Sequence, residues 1–249
     1  MTSLLRTENL VKRYGGLTVT DGVSLDIRKG ELHAIIGPNG AGKTTLINQL
    51  SGELSPDSGA IWFGDREVTA IPISGRARNG LLRSYQITSI FDAFTVLENA
   101  VVAAMGTQEH AFHFWKPMLK RTGIVNAAQE ALAATGMSSL GGTIAGDLGY
   151  GERRQLELAM ALAAKPEVLL LDEPMAGMSP QESAVVVKLL QSLKGRYTIV
   201  LIEHDMDAVF SLADRISVLV YGRLIATGTP DELRNDAEVR ASYLGDEAI

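Results

Sequence analysis

Apolar residues in this chain gather in short continuous runs, and helix-like stretches separate several of them. Glu31 to Ile36 reads as a strand ending in a glycine-rich turn, and Thr44 to Ser51 then reads as a helix. Ser58 to Phe63 reads as a short strand after the turn-rich Ser55-Pro56-Asp57-Ser58-Gly59. Val168 to Leu171 is a continuous apolar run, the pattern of a strand buried on both faces. Thr198 to Ile202 and Ile216 to Val220 are two more, each after a helical stretch. This alternation predicts an α/β domain built on a parallel sheet. Thr95 to Gly146 breaks the pattern: it has no convincing strand, is rich in alanine, and shows helix periodicity in Val125 to Ala134. It reads as a mostly helical insert, with Gly141-Gly142 near its end as a flexible join.

Composition narrows the class. Of 249 residues, 46% are apolar and 21% charged, so neither disorder nor a disulfide scaffold is expected. Cysteine is absent, which excludes thiol nucleophiles and cysteine zinc sites. The net charge of −6 argues against a general nucleic-acid binder. No run approaches the ~18 apolar residues of a membrane span. Met1 to Leu10 carries Arg6 and Glu8 without an apolar core, so no signal peptide is expected.

Two motifs carry chemistry. Gly37-Pro38-Asn39-Gly40-Ala41-Gly42-Lys43-Thr44 fits G-x-x-x-x-G-K-[ST], between a strand and a helix. Its glycines let backbone N–H groups converge on phosphate oxygens, and the helix adds the positive end of its dipole. Lys43 is expected to bridge the β- and γ-phosphates and the Thr44 hydroxyl to ligate Mg²⁺. Thr45 completes the nucleotide-binding stretch. The second motif is the strand Val168 to Leu171 ending in Asp172-Glu173. An acid there holds Mg²⁺, the role assigned to Asp172, and Glu173 is placed to act as general base on the attacking water.

Between these motifs, Leu148-Gly149-Tyr150-Gly151-Glu152-Arg153-Arg154-Gln155 precedes a helix that leads into the acidic strand. It resembles the LSGGQ signature of the ATP-binding cassette (ABC) ATPases. Gln86 lies where that family has its Q-loop, His204 resembles the switch histidine, and Tyr14 resembles the aromatic residue that stacks on adenine. The order of motifs matches the family along nearly the whole chain. The resemblance implies a P-loop NTPase fold, with a RecA-like parallel core sheet, an antiparallel β subdomain and a helical insert of approximately 88–155. It implies ATP and Mg²⁺ as ligands, with Gln86 beside Thr44 and Asp172 on the metal. His204, Gln86 and Lys43 would join Glu173 in catalysis, and Gly149, Tyr150, Gly151 and Glu152 would contact the nucleotide of a second, head-to-tail cassette. Gly149 replaces the signature serine, Tyr150 stands where glycine is usual, and Ser179 replaces the family's dimer-loop aspartate. Ser179-Pro180-Gln181-Glu182 itself reads as a helix capping box with proline at the first helical position.

Several stretches resemble the ATPase subunits of branched-chain amino acid importers: Tyr14-Gly15-Gly16-Leu17, Arg83-Ser84-Tyr85-Gln86, Thr95 to Asn99, Ala176 to Pro180, and the ending Ala241 to Gly245 in a tail of approximately 228–249. Urea and short-chain amide importers share them. Lipopolysaccharide export is a further alternative, and a soluble DNA-repair or translation cassette or a non-hydrolysing regulatory module fits less well. The resemblance implies two permease subunits, a second ATPase subunit (self or sister) and, indirectly, a periplasmic binding protein. It places the chain peripherally on the cytoplasmic face of the inner membrane, with no nucleic-acid partner. Ile90, Phe91 and Phe94 read either as permease contacts or as ordinary packing. Phe112-His113-Phe114-Trp115 reads as a small satellite core, His110 and His113 do not suffice as a metal pair, and Arg76 and Arg78 read as solvated loop charges.

Overall fold

The computed structural model describes residues 3–84, 90–106 and 122–241. Gln86, His110, the Phe112 to Trp115 stretch and the chain beyond Ala241 lie outside them. The chain divides into two units. One comprises Met1–Arg76, Leu170–Glu173 and Leu193–Ile249, the other Ala77–Leu169 and Pro174–Ser192.

The first unit holds two sheets. In the antiparallel one, β1 (Ser3–Tyr14), β2 (Leu17–Val23), β5 (Ser58–Phe63) and β6 (Arg66–Glu67) run in the order β2-β1-β5-β6, and β3 (Asp26–Arg28) also pairs with β1. The other contains β4 (Leu32–Ile36), β8 (Val168–Asp172), β9 (Thr198–Ile202), β10 (Arg215–Val220) and β11 (Arg223–Gly228), ordered β11-β10-β4-β9-β8. Every residue of β4, β8 and β9 is buried, as their unbroken apolar runs require. Strand β4 pairs parallel with β9 and β10, while β11 returns antiparallel along β10. The unit also carries α1 (Lys43–Ser51), most of α2 (Ile73–Arg78), α7 (Met206–Leu212), α8 (Pro230–Arg234) and α9 (Ala237–Val239). The sequence-based strands and the first helix agree with these bounds to within a residue.

A polar group sits inside this apolar sheet. His33, on β4, is fully buried. Its Nδ1 meets Glu31 Oε1 at 2.7 Å and its Nε2 meets Ser217 Oγ at 2.8 Å, and Ser217 Oγ continues to Thr227 Oγ1 at 2.7 Å. Both ring nitrogens are therefore satisfied, the condition for tolerating a buried imidazole.

Arg76 departs from the expectation of a solvated loop charge. It is 1% exposed. Its guanidinium donates to four carbonyls: Ile71 at 2.8 Å, Gln49 at 2.6 Å, Leu50 at 2.8 Å and Thr69 at 3.0 Å. Two of these lie in the last turn of α1, where carbonyls lack helical partners and the dipole favours a cation. Burial pushes its pKa down to about 10, so it stays protonated at neutral pH. Arg76→Met is expected to cost about 3 kcal/mol, because it orphans buried carbonyls. Urea unfolding measures this, and a loss under about 1 kcal/mol would mean that the carbonyls find other donors.

The second unit contains β7 (Leu81–Ser84), α3 (Val96–Gly106), α4 (Thr122–Ala134), α5 (Tyr150–Ala163) and most of α6 (Pro180–Leu193). Its core draws on the alanine-rich faces of these helices, including Ala100, Ala104, Ala127, Ala128, Ala131 and Ala159. The Gly141-Gly142 join is not loose: Leu97 N donates to Gly141 O at 3.0 Å and Val96 N to Thr143 O at 2.9 Å. These bonds tie the join to the first turn of α3, whose N–H groups have no partner within the helix. The capping box at Ser179 forms as its spacing requires. Glu182 Oε2 accepts from Ser179 N at 2.9 Å and Ser179 Oγ at 2.7 Å, and this holds the Glu182 carboxyl below its usual range.

Candidate functional site

The first unit gathers its polar side chains where strands of the second sheet end. Strand β4 runs out of Ile36 into Gly37, and the loop closes at Gly42, the N-cap of α1. The glycines are a steric requirement. A Cβ on Gly37, at φ +154°, would lie 1.9 Å from Leu219 O, and one on Gly42, at φ +104°, 2.4 Å from Val19 O. The loop therefore lies directly on the backbone of β2 and β10, and Gly222 N secures it from above with a 2.9 Å bond to Ala41 O. Asn39, Gly40 and Thr44 are exposed, Pro38 and Thr45 are half-buried, and Ala41 is buried.

Lys43 is 7% exposed. Its Nζ donates to Gly37 O at 2.6 Å and Pro38 O at 3.0 Å, folding the ammonium into the loop it belongs to. Burial pushes its pKa down, and the charges of Glu173 and Asp172 oppose that shift. The ammonium thus lies within electrostatic reach of both carboxylates at the end of β8.

Asp172, the last residue of β8, is buried at 9% exposure. Glu173 follows with φ +49°, a left-handed backbone that costs a non-glycine residue roughly 1–2 kcal/mol. Its amide donates to Ile202 O at 2.9 Å, which ties the ends of β8 and β9 together. Its Oε1 meets His204 Nε2 at 2.6 Å. His204 lies between β9 and α7, and its own amide donates to Glu203 Oε2 at 2.9 Å. Asp205 then caps α7 by accepting from Ala208 N at 3.0 Å. Lys43, Asp172, Glu173 and His204 are therefore neighbours. Glu203, 4% exposed, belongs with them and was missed in the sequence. Its signal was available: an acid directly after an apolar strand and before His204.

Tyr14 stands apart from the strand ends, at the tip of the β1–β2 hairpin. Its side chain is 53% exposed, opposite Leu17 at 65%. An aromatic ring presented in this way can take a flat ligand on its face.

In the second unit, Gly149 is the N-cap of α5, and Glu152 Oε2 accepts its amide at 2.9 Å. Tyr150 is half-exposed and its hydroxyl donates to Ala176 O at 2.8 Å. Arg154 donates to the same hydroxyl at 3.3 Å and to Glu157 at 2.8 Å. The bulky residue at the third signature position is thus anchored to the segment before Ser179. Gly151 and Glu152 occupy the first turn of α5, where the helix dipole favours an anion, and the Gly151 amide donates to the Glu182 carboxylate. Phe91 and Phe94 stack with centroids 5.3 Å apart, and both are exposed.

The donors suit the expected ligands. Closely approached glycines leave a backbone cradle with a buried ammonium, which fits polyphosphate. An exposed threonine hydroxyl and a carboxylate facing that cradle are hard oxygen donors, which fit Mg²⁺. Gln86 lies outside the described residues.

Comparison with known proteins bears on the same residues. The family model described as ABC transporter matches residues 20–176. A second model, described as branched-chain amino acid ATP-binding cassette transporter, matches residues 223–249. The chain is 39% identical to the high-affinity branched-chain amino acid transport ATP-binding protein LivG of Salmonella typhimurium, over 98% of both chains. It is 35% identical to the corresponding BraF protein of Pseudomonas aeruginosa, again over 98% of both. Among solved structures, it resembles the ADP conformation of an ATP-binding cassette of an ABC transporter, with a TM-score of 0.86, 32% identity, and coverage of 99% of this chain and 100% of that one.

Proposed function

This chain belongs to the ABC transporter ATP-binding cassettes, and from that premise we propose that it is the ATP-hydrolysing subunit of an importer for branched-chain amino acids. The observation that carries the catalytic part is the cluster of Lys43, Asp172, Glu173 and His204 beside a loop shaped for phosphate. The match of residues 223–249 to the branched-chain model supports the substrate class.

The chemistry follows from the side chains. ATP lies with its phosphates on the N–H groups of Gly37 to Thr45, and its base stacks on Tyr14. Lys43 turns from the Gly37 and Pro38 carbonyls to the β- and γ-phosphate oxygens, exchanging neutral acceptors for charged ones. Glu173 takes a proton from water as the water oxygen bonds to the γ-phosphorus and the bond from that phosphorus to the β,γ-bridging oxygen breaks. ADP and phosphate leave, and Glu173 passes the proton to solvent. His204, held by Glu203 through its backbone and bonded to Glu173, keeps the carboxylate oriented toward the water and contacts the γ-phosphate. Thr44, Asp172 and Gln86 would hold Mg²⁺, which when bound offsets phosphate charge.

The site is completed by a second cassette, a copy of this chain or a sister. Gly149, Tyr150, Gly151 and Glu152 of one chain face the γ-phosphate held by the other, offering the N-terminus of α5. The helical insert of approximately 88–155 and the tail of approximately 228–249 give the cassette its family-specific contacts. The exposed pair Phe91 and Phe94, with Ile90, receives a permease subunit. A periplasmic binding protein supplies the substrate indirectly. No helix among the described residues is long and apolar enough to cross a membrane. That accords with a peripheral place on the cytoplasmic face of the permeases.

The test is hydrolysis by the chain alone and with its partners. A proven monomer should turn over ATP slowly and gain at least about tenfold on assembly, and vigorous monomer activity would overturn the shared site. Calorimetry of the cognate binding protein against leucine, isoleucine, valine, urea and short amides tests the substrate class. Binding of urea or amides in place of the amino acids would overturn it.

A further inference from the structure

The ring of Tyr14 sits on an overhang. Strand β1 pairs with β5 only as far as Val11, opposite Ser58, while its pairing with β2 continues through Arg13 and Tyr14 to the Gly15-Gly16 turn. The last three residues of β1 thus have a ladder partner on one side only. A lone two-stranded tip is marginal in water, so a ring presented from it needs support to hold one orientation.

That support comes from one residue. Asp57, in the turn before β5, bonds three successive residues of β1. Its amide donates to Val11 O at 2.8 Å. Its Oδ1 accepts from Lys12 Nζ at 2.8 Å, and its Oδ2 accepts from Arg13 N at 2.7 Å. The side chain therefore replaces the ladder bond that β5 no longer offers to Arg13. The bonds to Lys12 and Arg13 also hold the Asp57 carboxyl below its usual range, as expected of a carboxylate bonded in its charged form. The ammonium that Asp57 fixes lies 5.8 Å from the centroid of the Tyr14 ring, within the range of a cation–π contact.

The position of this brace is itself fixed. Gly59, at φ +92°, lies against the bulge of β1, where Asn9 has φ +48°. A Cβ there would be 2.4 Å from Asn9 O and 2.5 Å from Glu8 O. Only glycine lets the turn come close enough for Asp57 to reach Arg13.

We propose that Asp57 is a positioning residue for the nucleotide base: by clamping Val11, Lys12 and Arg13 it holds the Tyr14 ring where adenine stacks. This rests on the reading of Tyr14 as the base platform. Asp57 itself touches no nucleotide, so its removal acts through Tyr14 and leaves the phosphate cradle intact.

The test is a double-mutant cycle on the full chain, with ADP as the probe and calorimetry as the readout. Tyr14→Ala should weaken ADP binding about tenfold or more, the scale of one lost base–aromatic stack. Asp57→Ala should weaken it about three- to tenfold. Asp57→Asn, which keeps an acceptor for Arg13 N, should recover part of that loss. In the Tyr14→Ala background, Asp57→Ala should have no further effect. An unchanged ADP affinity in Asp57→Ala overturns the proposal. So does an equal loss in both backgrounds, which would assign Asp57 a general structural role. If Tyr14→Ala alone leaves ADP affinity unchanged, the base-platform reading fails and the proposal fails with it.

Discussion

Lys43→Ala should reduce ATP affinity by a factor of about 10²–10⁴. The basis is the bonding capacity of one ammonium. Charge-assisted hydrogen bonds contribute about 1.5–3 kcal/mol each, and Lys43 is assigned two phosphates. No other side chain of the loop carries positive charge. In the structure the ammonium is 7% exposed and bonds Gly37 O and Pro38 O. Those carbonyls would be left to water in the variant, so the loop also loses an internal tie. Equilibrium binding of ATP measures the effect, with thermal unfolding as the check that α1 still forms. Unchanged affinity in a folded variant would remove Lys43 from the phosphate site.

Glu173→Gln should bind ATP as the parent does and lose hydrolysis by a factor of about 10²–10⁴. The amide matches the carboxylate in shape and can keep a hydrogen bond to His204 Nε2, now 2.6 Å from Glu173 Oε1. The bond from Glu173 N to Ile202 O and the left-handed backbone do not depend on the side-chain charge. What the amide lacks is a site that can accept a proton from water. Phosphate release under single-turnover conditions isolates that step. Full hydrolysis in this variant would shift the base to another carboxylate, with the buried Glu203 the first to test.

The second sheet was legible because burial on both faces demands continuous apolar runs, and β4, β8 and β9 supply them without interruption. The phosphate loop and the acidic pair after β8 were legible because their chemistry is local: glycines, a lysine and two acids at fixed spacing. The Ser179 capping box was legible for the same reason, since its partners are three residues apart. Arg76 was misread because its four acceptors come from two separate segments, Gln49-Leu50 and Thr69 to Ile71, and nothing next to it in sequence marks it as buried. The tie of the Gly141 join to α3 was missed on similar grounds, since glycine pairs signal turns but say nothing of what the turn packs against.

By itself, the sequence determined the fold class, the glycine-rich loop and the acidic pair, because each depends on residue type and short spacing, and the order of motifs marked the family. Tertiary structure alone decided which residues meet across long separations. Leu219 O under Gly37, Arg76 on the end of α1 and Asp57 behind Tyr14 are its work. The physical reason is that buried backbone groups must find partners wherever the fold brings them. A partner 26 or 44 residues away leaves no periodic trace in the chain.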